Sequence, residues 1–256
     1  MSGITSVNNS TSYMDYGRFA SGKKVQTAAD GAAELSMIQK EDAQTRGQKA
    51  GENNIGSAKD LLHVADGAMA GITDYLQRIR ELAVQASNTA TMTDSDRASI
   101  QKEVEQLKQG ISDIASQTTF NTKKLLDGTY DKFGIATDAN GNGVEITAAD
   151  TTLQALGIAD FDVTKDFDVQ DIDDAFGKIN AGRSSMGAQT NALTYAYNNS
   201  TNIRLNHTAG KSRLEDLDFA EAISEKKKKE TLQEYMWFMQ KRRQQDEANR
   251  MKSMFA

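Results

Sequence analysis

Between Ile55 and Ala86 the chain places apolar or small residues at Ile55, Ala58, Leu62, Ala65, Met69, Ile72, Leu76, Ile79, Ala83 and Ala86. Each step is three or four residues, the spacing that keeps one stripe of an α-helix facing the same way over its whole length. At about 1.5 Å per residue such a helix is a rod about 48 Å long. Its stripe suits a partner helix better than a globular core, so the cover must come from elsewhere in this chain or from other copies.

The composition favours the same reading. Of 256 residues, 38% are hydrophobic and 7% aromatic, thin for a compact globule of that length. There is no proline, the residue that removes a helix hydrogen bond and clashes with the preceding turn, so long uninterrupted helices are favoured. The absence of cysteine excludes a disulfide framework, a thiolate nucleophile and a cysteine metal site. The opening MSGITSVNNSTSYMDYG lacks the basic and apolar regions of a cleavable signal peptide, and no later stretch approaches the ~20 apolar residues of a membrane span.

Taken in order, residues 1 to 20 read as loop with at most two helical turns around Ser12 to Ala20, and residues 21 to 33 as a linker. A first long helix is expected from near Ala29 to about Asn88, with a bend at Gly47 to Gly56; its part in the rod begins near residue 35. Thr93 or Ser95 can cap a second helix, about 95–116, with its own seam at Ile100, Val104, Leu107, Ile111 and Ile114. The gap between the two is short, so they should run antiparallel.

FGIAT and GVEIT flank DANGNG and predict a β-hairpin over about 131–150, with the asparagine–glycine pair supplying the positive φ angles. A calcium loop starting at Asp138 would need Glu at its twelfth position, where the chain has Ala149. A third long helix opens near residue 169, framed by Ile172, Phe176, Ile179, Met186, Leu193 and Tyr197, with polar residues at Arg183 and Thr190. It should continue into the tail with Gly210 as its one weak point.

No constellation for catalysis is found. His63 and His207 are the only histidines, both on expected helices and outside any metalloprotease spacing. There is no phosphate loop, dinucleotide fingerprint or nucleophile elbow, and the carboxylates are spread along helix faces. A net charge of −6 argues against general nucleic-acid binding, although residues 225 to 252 hold nine basic and five acidic side chains. There Lys226 to Lys229 and Lys241 to Arg243 flank an apolar knob from Tyr235 to Met239; a solvated helix with one buried cluster is favoured over a nucleic-acid or membrane surface.

LQRIRELAVQASN (76–88) resembles bacterial flagellin. So, in the same order as in that family, do SGKKVQTAADGAAELSMIQ (21–39), IQKEVEQLKQGISDIASQTTFNTKKLLDG (100–128), AGRSSMGAQTNAL (181–193) and SRLEDLDFAEAIS (212–224). Together they span roughly residues 18 to 130 and 150 to 233. The resemblance implies a mainly α fold: an elongated antiparallel helical bundle and coiled coil drawn from both chain ends, with a small central β-hairpin. It divides the chain into an amino-terminal inner-layer segment and linker (1–34), an outer helical rod (35–212, with helices about 35–88, 95–116 and 169–212) and a carboxy-terminal inner-layer helix (213–256).

The function implied is a structural subunit of the flagellar filament, serving motility, with no cofactor and no enzymatic role. It would be exported without signal cleavage, held by an export chaperone and polymerised with other flagellin subunits under a filament cap. Alternatives are a minor or specialised paralogue, a filament-junction protein, or an exported monomer acting mainly as a receptor ligand. The family's contact residues for an animal Toll-like receptor fall on Arg78, Leu82 and Glu103, where Arg78 and Leu82 share a face off the seam and so are expected to be free. The intrachain seam is assigned to Ile55, Leu62, Met69, Ile72, Leu76 and Ile79, and inner-layer assembly to Leu232, Tyr235, Met236 and Met239.

Overall fold

The computed structural model describes residues 17–88 and 90–254. The chain is mainly α, and its elements follow the order α1 (Ala32–Ala86), α2 (Asp94–Gln117), β1 (Thr119–Phe120), β2 (Lys123–Lys124), β3 (Lys132–Ala136), β4 (Gly143–Thr147), α3 (Leu153–Leu156), α4 (Gln170–Glu215) and α5 (Phe219–Met254). Two compact units are distinguished: Gln44–Leu205, and the described residues up to Ala43 together with those from Asn206 onward. The expected turns around Ser12 fall partly outside the described residues.

In the unit Gln44–Leu205, α1 lies between two antiparallel partners. Against α2, Arg78 meets Glu103 and Tyr75 packs over Gly110, where a side-chain carbon would sit 2.9 Å from the ring. Against α4, the contacts run from Arg80 with Asp173, through Asp66 with Arg183, to Glu52 with Arg204. As α1 descends in number its partner on α4 ascends, which fixes the antiparallel sense. α2 starts at a capping box in which Thr93 Oγ1 accepts from the Asp96 N–H and the Asp96 carboxylate accepts from the Thr93 N–H, satisfying two otherwise orphaned donors.

The long helix runs unbroken through Gly47 to Gly56. Strands β3 and β4 pair antiparallel from Lys132–Thr147 to Ala136–Gly143, and their loop lies on α1 at those glycines. A Cβ at Gly47 would collide with Ala139, and one at Gly51 with the Thr137 carbonyl. Asn54 Nδ2 donates to the Ala136 carbonyl at 3.0 Å, and Gln189 of α4 accepts from the Thr147 N–H at 2.8 Å. The glycines therefore make room for a hairpin in an unbroken helix.

Two turns differ from expectation. In the hairpin loop Gly141 has a positive φ (83°), whereas Asn140 and Asn142 do not, because the Asp138 side chain organises the turn by accepting from both of their N–H groups. The short hairpin β1–β2 carries no turn signal in the sequence. It turns through Asn121 (φ 47°) and Thr122 (φ 67°), left-handed conformations that an Asn-Gly signal normally marks and that this Asn-Thr pair does not advertise.

In the other unit the carboxy-terminal helix breaks at residues 216–218, and Gly210 lies inside α4. Residues 22–24 supply the cause. The Lys24 N–H donates to the Glu215 carbonyl and the Leu217 N–H to the Gly22 carbonyl, so an extended segment takes the groups that helix continuation would use. Asp218 then caps α5 by accepting from the Ala220 and Glu221 N–H groups. Lys23 pairs with Glu215, Lys211 with Asp42, and Arg18 with Asp30 at 2.5 Å.

Candidate assembly and recognition surfaces

The six seam residues of α1, Ile55, Leu62, Met69, Ile72, Leu76 and Ile79, are all buried. They belong to one cluster with Val104 and Ile111 of α2 and with Ile172, Ala175, Ile179, Met186 and Leu193 of α4. Because α1 is covered from two sides, its buried strip is wider than a single heptad seam, and Leu61 and Leu82 lie within it. The expectation that Leu82 is free to meet another surface is therefore corrected: it is only 2% exposed.

Arg78 and Glu103 keep about half of their side chains exposed. Arg78 reaches Glu103 at 2.7 Å across the helix pair and Glu81 at 3.1 Å one turn along α1. Hydrogen bonding to Glu103 first, and to Glu81 second, holds the Arg78 guanidinium above the ordinary arginine value. What the molecule presents here is an ion-paired polar surface over a buried leucine. Glu81 went unassigned in the sequence, although its place three residues after Arg78 on one helix was the available signal.

Beside this patch an open groove of about 500 Å³ runs between α1 and α2, lined by Gly67, Ala68, Gly71, Tyr75, Gly110 and Ile114. The paired glycines four residues apart on α1 were its sequence trace.

On α5 the residues assigned to inner-layer assembly, Leu232, Tyr235, Met236 and Met239, are exposed, and so are Trp237 and Phe238. The buried cluster expected at Tyr235 to Met239 is thus not formed among the described residues. At about 100° per residue, five consecutive side chains cover the full circumference of a helix, so this is a girdle and not a stripe. Trp237 is 65% exposed, with the Lys241 ammonium 5.3 Å from its ring centroid. Among the described residues these side chains all remain exposed.

The remaining candidates for chemistry are accounted for by structure. His63 is exposed, and His207 Nδ1 lies 2.5 Å from Glu41. Asp138 spends its oxygens on the hairpin turn. Among the described residues no group of three or more histidines and carboxylates is placed to hold a metal, and no helix is long and apolar enough to cross a membrane.

Comparison with known proteins joins the two ends of the chain. The bacterial flagellin N-terminal helical region matches residues 2–131, and the bacterial flagellin C-terminal helical region matches residues 169–249. The chain belongs to the bacterial flagellin family. The match extends past the motifs that carried the resemblance, to residue 2 at one end and across the charged tail to residue 249 at the other. A flagellin of Bacillus subtilis is 34% identical, covering 86% of this chain and 85% of that protein. A flagellin of Halalkalibacterium halodurans is 35% identical over 81% and 79%. The crystal structure of Bacillus cereus flagellin is also similar, with 32% identity, coverage of 58% of this chain and 88% of that one, and a TM-score of 0.48. Flagellins are structural proteins.

Proposed function

We propose that this chain is the repeating subunit of a bacterial flagellar filament, polymerising outside the cell into a helical tube that drives motility. The observation that carries the proposal is the girdle on α5. A helix with large apolar side chains on every side needs neighbours all round it, which packed copies of the same helix supply and a flat surface does not. Membership of the flagellin family supplies the context.

In this reading residues 1–34 and 213–256 form an inner layer, residues 35–212 an outer rod, and the chain leaves the cell with its amino end uncleaved, handled by an export chaperone and placed beneath a filament cap. The subunit is structural and not catalytic. Electron microscopy of purified protein after seeding is the test. Regular filaments support the major-subunit role, and caps or short stubs on seeds of another flagellin point to a minor or junction component. Monomer alone, under conditions where a related flagellin polymerises, refutes the assembly reading.

A second reading concerns recognition by an animal Toll-like receptor through Arg78, Leu82 and Glu103. The exposed Arg78–Glu103 pair favours it, with Leu82 acting from beneath by holding α1 against its neighbours. Receptor signalling driven by purified monomer, compared between the parent and Arg78→Asp, tests it; equal signalling removes Arg78 from the contact.

A further inference from the structure

We propose that Asn140 is a site of spontaneous deamidation, and that the fold directs the reaction to Asn140–Gly141 and away from the neighbouring Asn142–Gly143 step. The two steps are chemically alike: in each, a glycine without Cβ follows an asparagine, so its backbone nitrogen can approach the side-chain carbonyl carbon. Their surroundings differ at three points.

The first is the side-chain amide. Asn142 Nδ2 donates to Asp138 Oδ2 at 2.9 Å, whereas the exposed Asn140 side chain has no hydrogen-bond partner among the described residues. The second is the backbone on which ring closure depends. The Asn142 carbonyl accepts from the Thr137 N–H at 2.9 Å and the Asp138 N–H at 3.2 Å, and the Asn142 N–H donates to Asp138 Oδ1 at 2.7 Å. Around Asn140 the corresponding anchors are one bond from its N–H to Asp138 Oδ1 and one long bond, 3.3 Å, from the Gly141 N–H to the Asp138 carbonyl. The third is space. Nothing lies near the position a Cβ would take on Gly141, while Gly143 is pressed against the Ile135 carbonyl across the hairpin.

In the reaction the Gly141 backbone nitrogen forms a bond to Cγ of Asn140, and the side-chain nitrogen leaves as ammonia, carrying away the Gly141 amide proton. Solvent water then adds to one of the two carbonyls of the cyclic imide. Opening one way leaves aspartate; opening the other leaves isoaspartate, with an extra main-chain carbon in the turn. Either product sets a new carboxylate next to Asp138 at the hairpin tip that rests on Gly47 and Gly51. The isoaspartate product also lengthens the main chain between Asn140 and the Gly141 N–H that bonds to the Asp138 carbonyl.

The full-length protein is incubated in mildly alkaline buffer, folded or unfolded in urea, and digested with trypsin. The peptide from Phe133 to Lys165 holds both sites, and fragmentation assigns the gain of one mass unit. In the folded protein Asn140 is expected to convert about tenfold faster than Asn142, the ratio that loss of one to two net hydrogen bonds implies. In urea the two rates should converge, and Asp138→Ala should raise the rate at Asn142 in the folded protein. Equal rates in the folded state, faster conversion at Asn142, or no conversion at Asn140 under conditions that convert a free Asn-Gly peptide each overturn the proposal.

Discussion

In α1, Ile55, Met69, Ile72, Leu76 and Ile79 are buried in one cluster that includes residues of α2 and α4, whereas in α5 Leu232, Tyr235, Met236, Trp237 and Phe238 are exposed. Both helices carry large apolar side chains among charged ones. The difference lies in how those side chains are distributed around the axis. A stripe with three- and four-residue steps can be covered by two helices of the same chain, and it is; a girdle cannot, because it points in every direction at once. The first pattern is buried within the chain, and the second is the surface proposed above to meet other copies.

The largest effect expected from breaking this contrast is on assembly. Deleting Thr231 to Ala256, or changing Tyr235, Met236 and Trp237 together to Ser, should abolish filament formation while the melting midpoint of the monomer barely moves. Filaments of normal length from either variant, seen by electron microscopy, would show that the girdle is not an assembly surface. A large loss of monomer stability would show instead that α5 is packed in the free chain.

The converse change comes next. Leu76→Ala, in the buried stripe, should destabilise the monomer by about 2–5 kcal/mol in denaturant unfolding, since it opens a cavity where α1 is covered on both sides. Leu82→Ala belongs to the same class and should fall in the same range, against the near-zero change of an exposed leucine. An unchanged midpoint for Leu82→Ala would return that residue to the surface.

A smaller and pH-dependent effect is expected where the stripe gives way to polar contacts. Glu52 is buried and receives Arg204 at 2.6 Å and Lys49 at 3.2 Å. Burial pushes its carboxyl up, but the bonds from Arg204 and Lys49 outweigh that and hold it below its ordinary value near 4.5. Since the folded-state value is the lower one, the stabilisation is fully present above that ordinary value and is lost as pH falls through the folded value. Glu52→Gln should cost about 3 kcal/mol at neutral pH, by removing the buried charge that meets Arg204 and Lys49, and should flatten the acid limb of the stability curve. An acid limb identical to that of the parent would remove Glu52 from the account.

The smallest effect on stability is expected at the exposed Arg78–Glu103 pair, where solvent screens the attraction. Arg78→Asp should leave the melting midpoint close to that of the parent while lowering receptor signalling by purified monomer. Loss of signalling accompanied by unfolding would mean the pair is structural.

Much of this was legible in the sequence. The stripe on α1, the seam of α2 and the Thr93 cap are local patterns, and each is found where its spacing places it. The β3–β4 hairpin follows from alternating strands around a turn-rich loop. Other features depend on residues far apart in the chain. Gly47 and Gly51 read as weak points in a helix, because only the hairpin lying on them shows that they are contacts. The break at residues 216–218 has no proline or glycine to announce it; it requires residues 22–24 to compete for the same backbone groups.

By itself, then, the sequence determined which segments are helical, which face of α1 must be buried and which family the chain resembles, because periodicity, caps and turn residues act over a few neighbouring positions. Only the tertiary structure decided that two helices cover α1 and draw Leu82 inside, that Asp138 and not the asparagines shapes the hairpin turn, and that the girdle of α5 is exposed in the single chain. These outcomes depend on which distant surfaces meet. Side-chain burial and backbone hydrogen bonding are settled by that meeting, since an apolar side chain is buried only where another surface displaces its water.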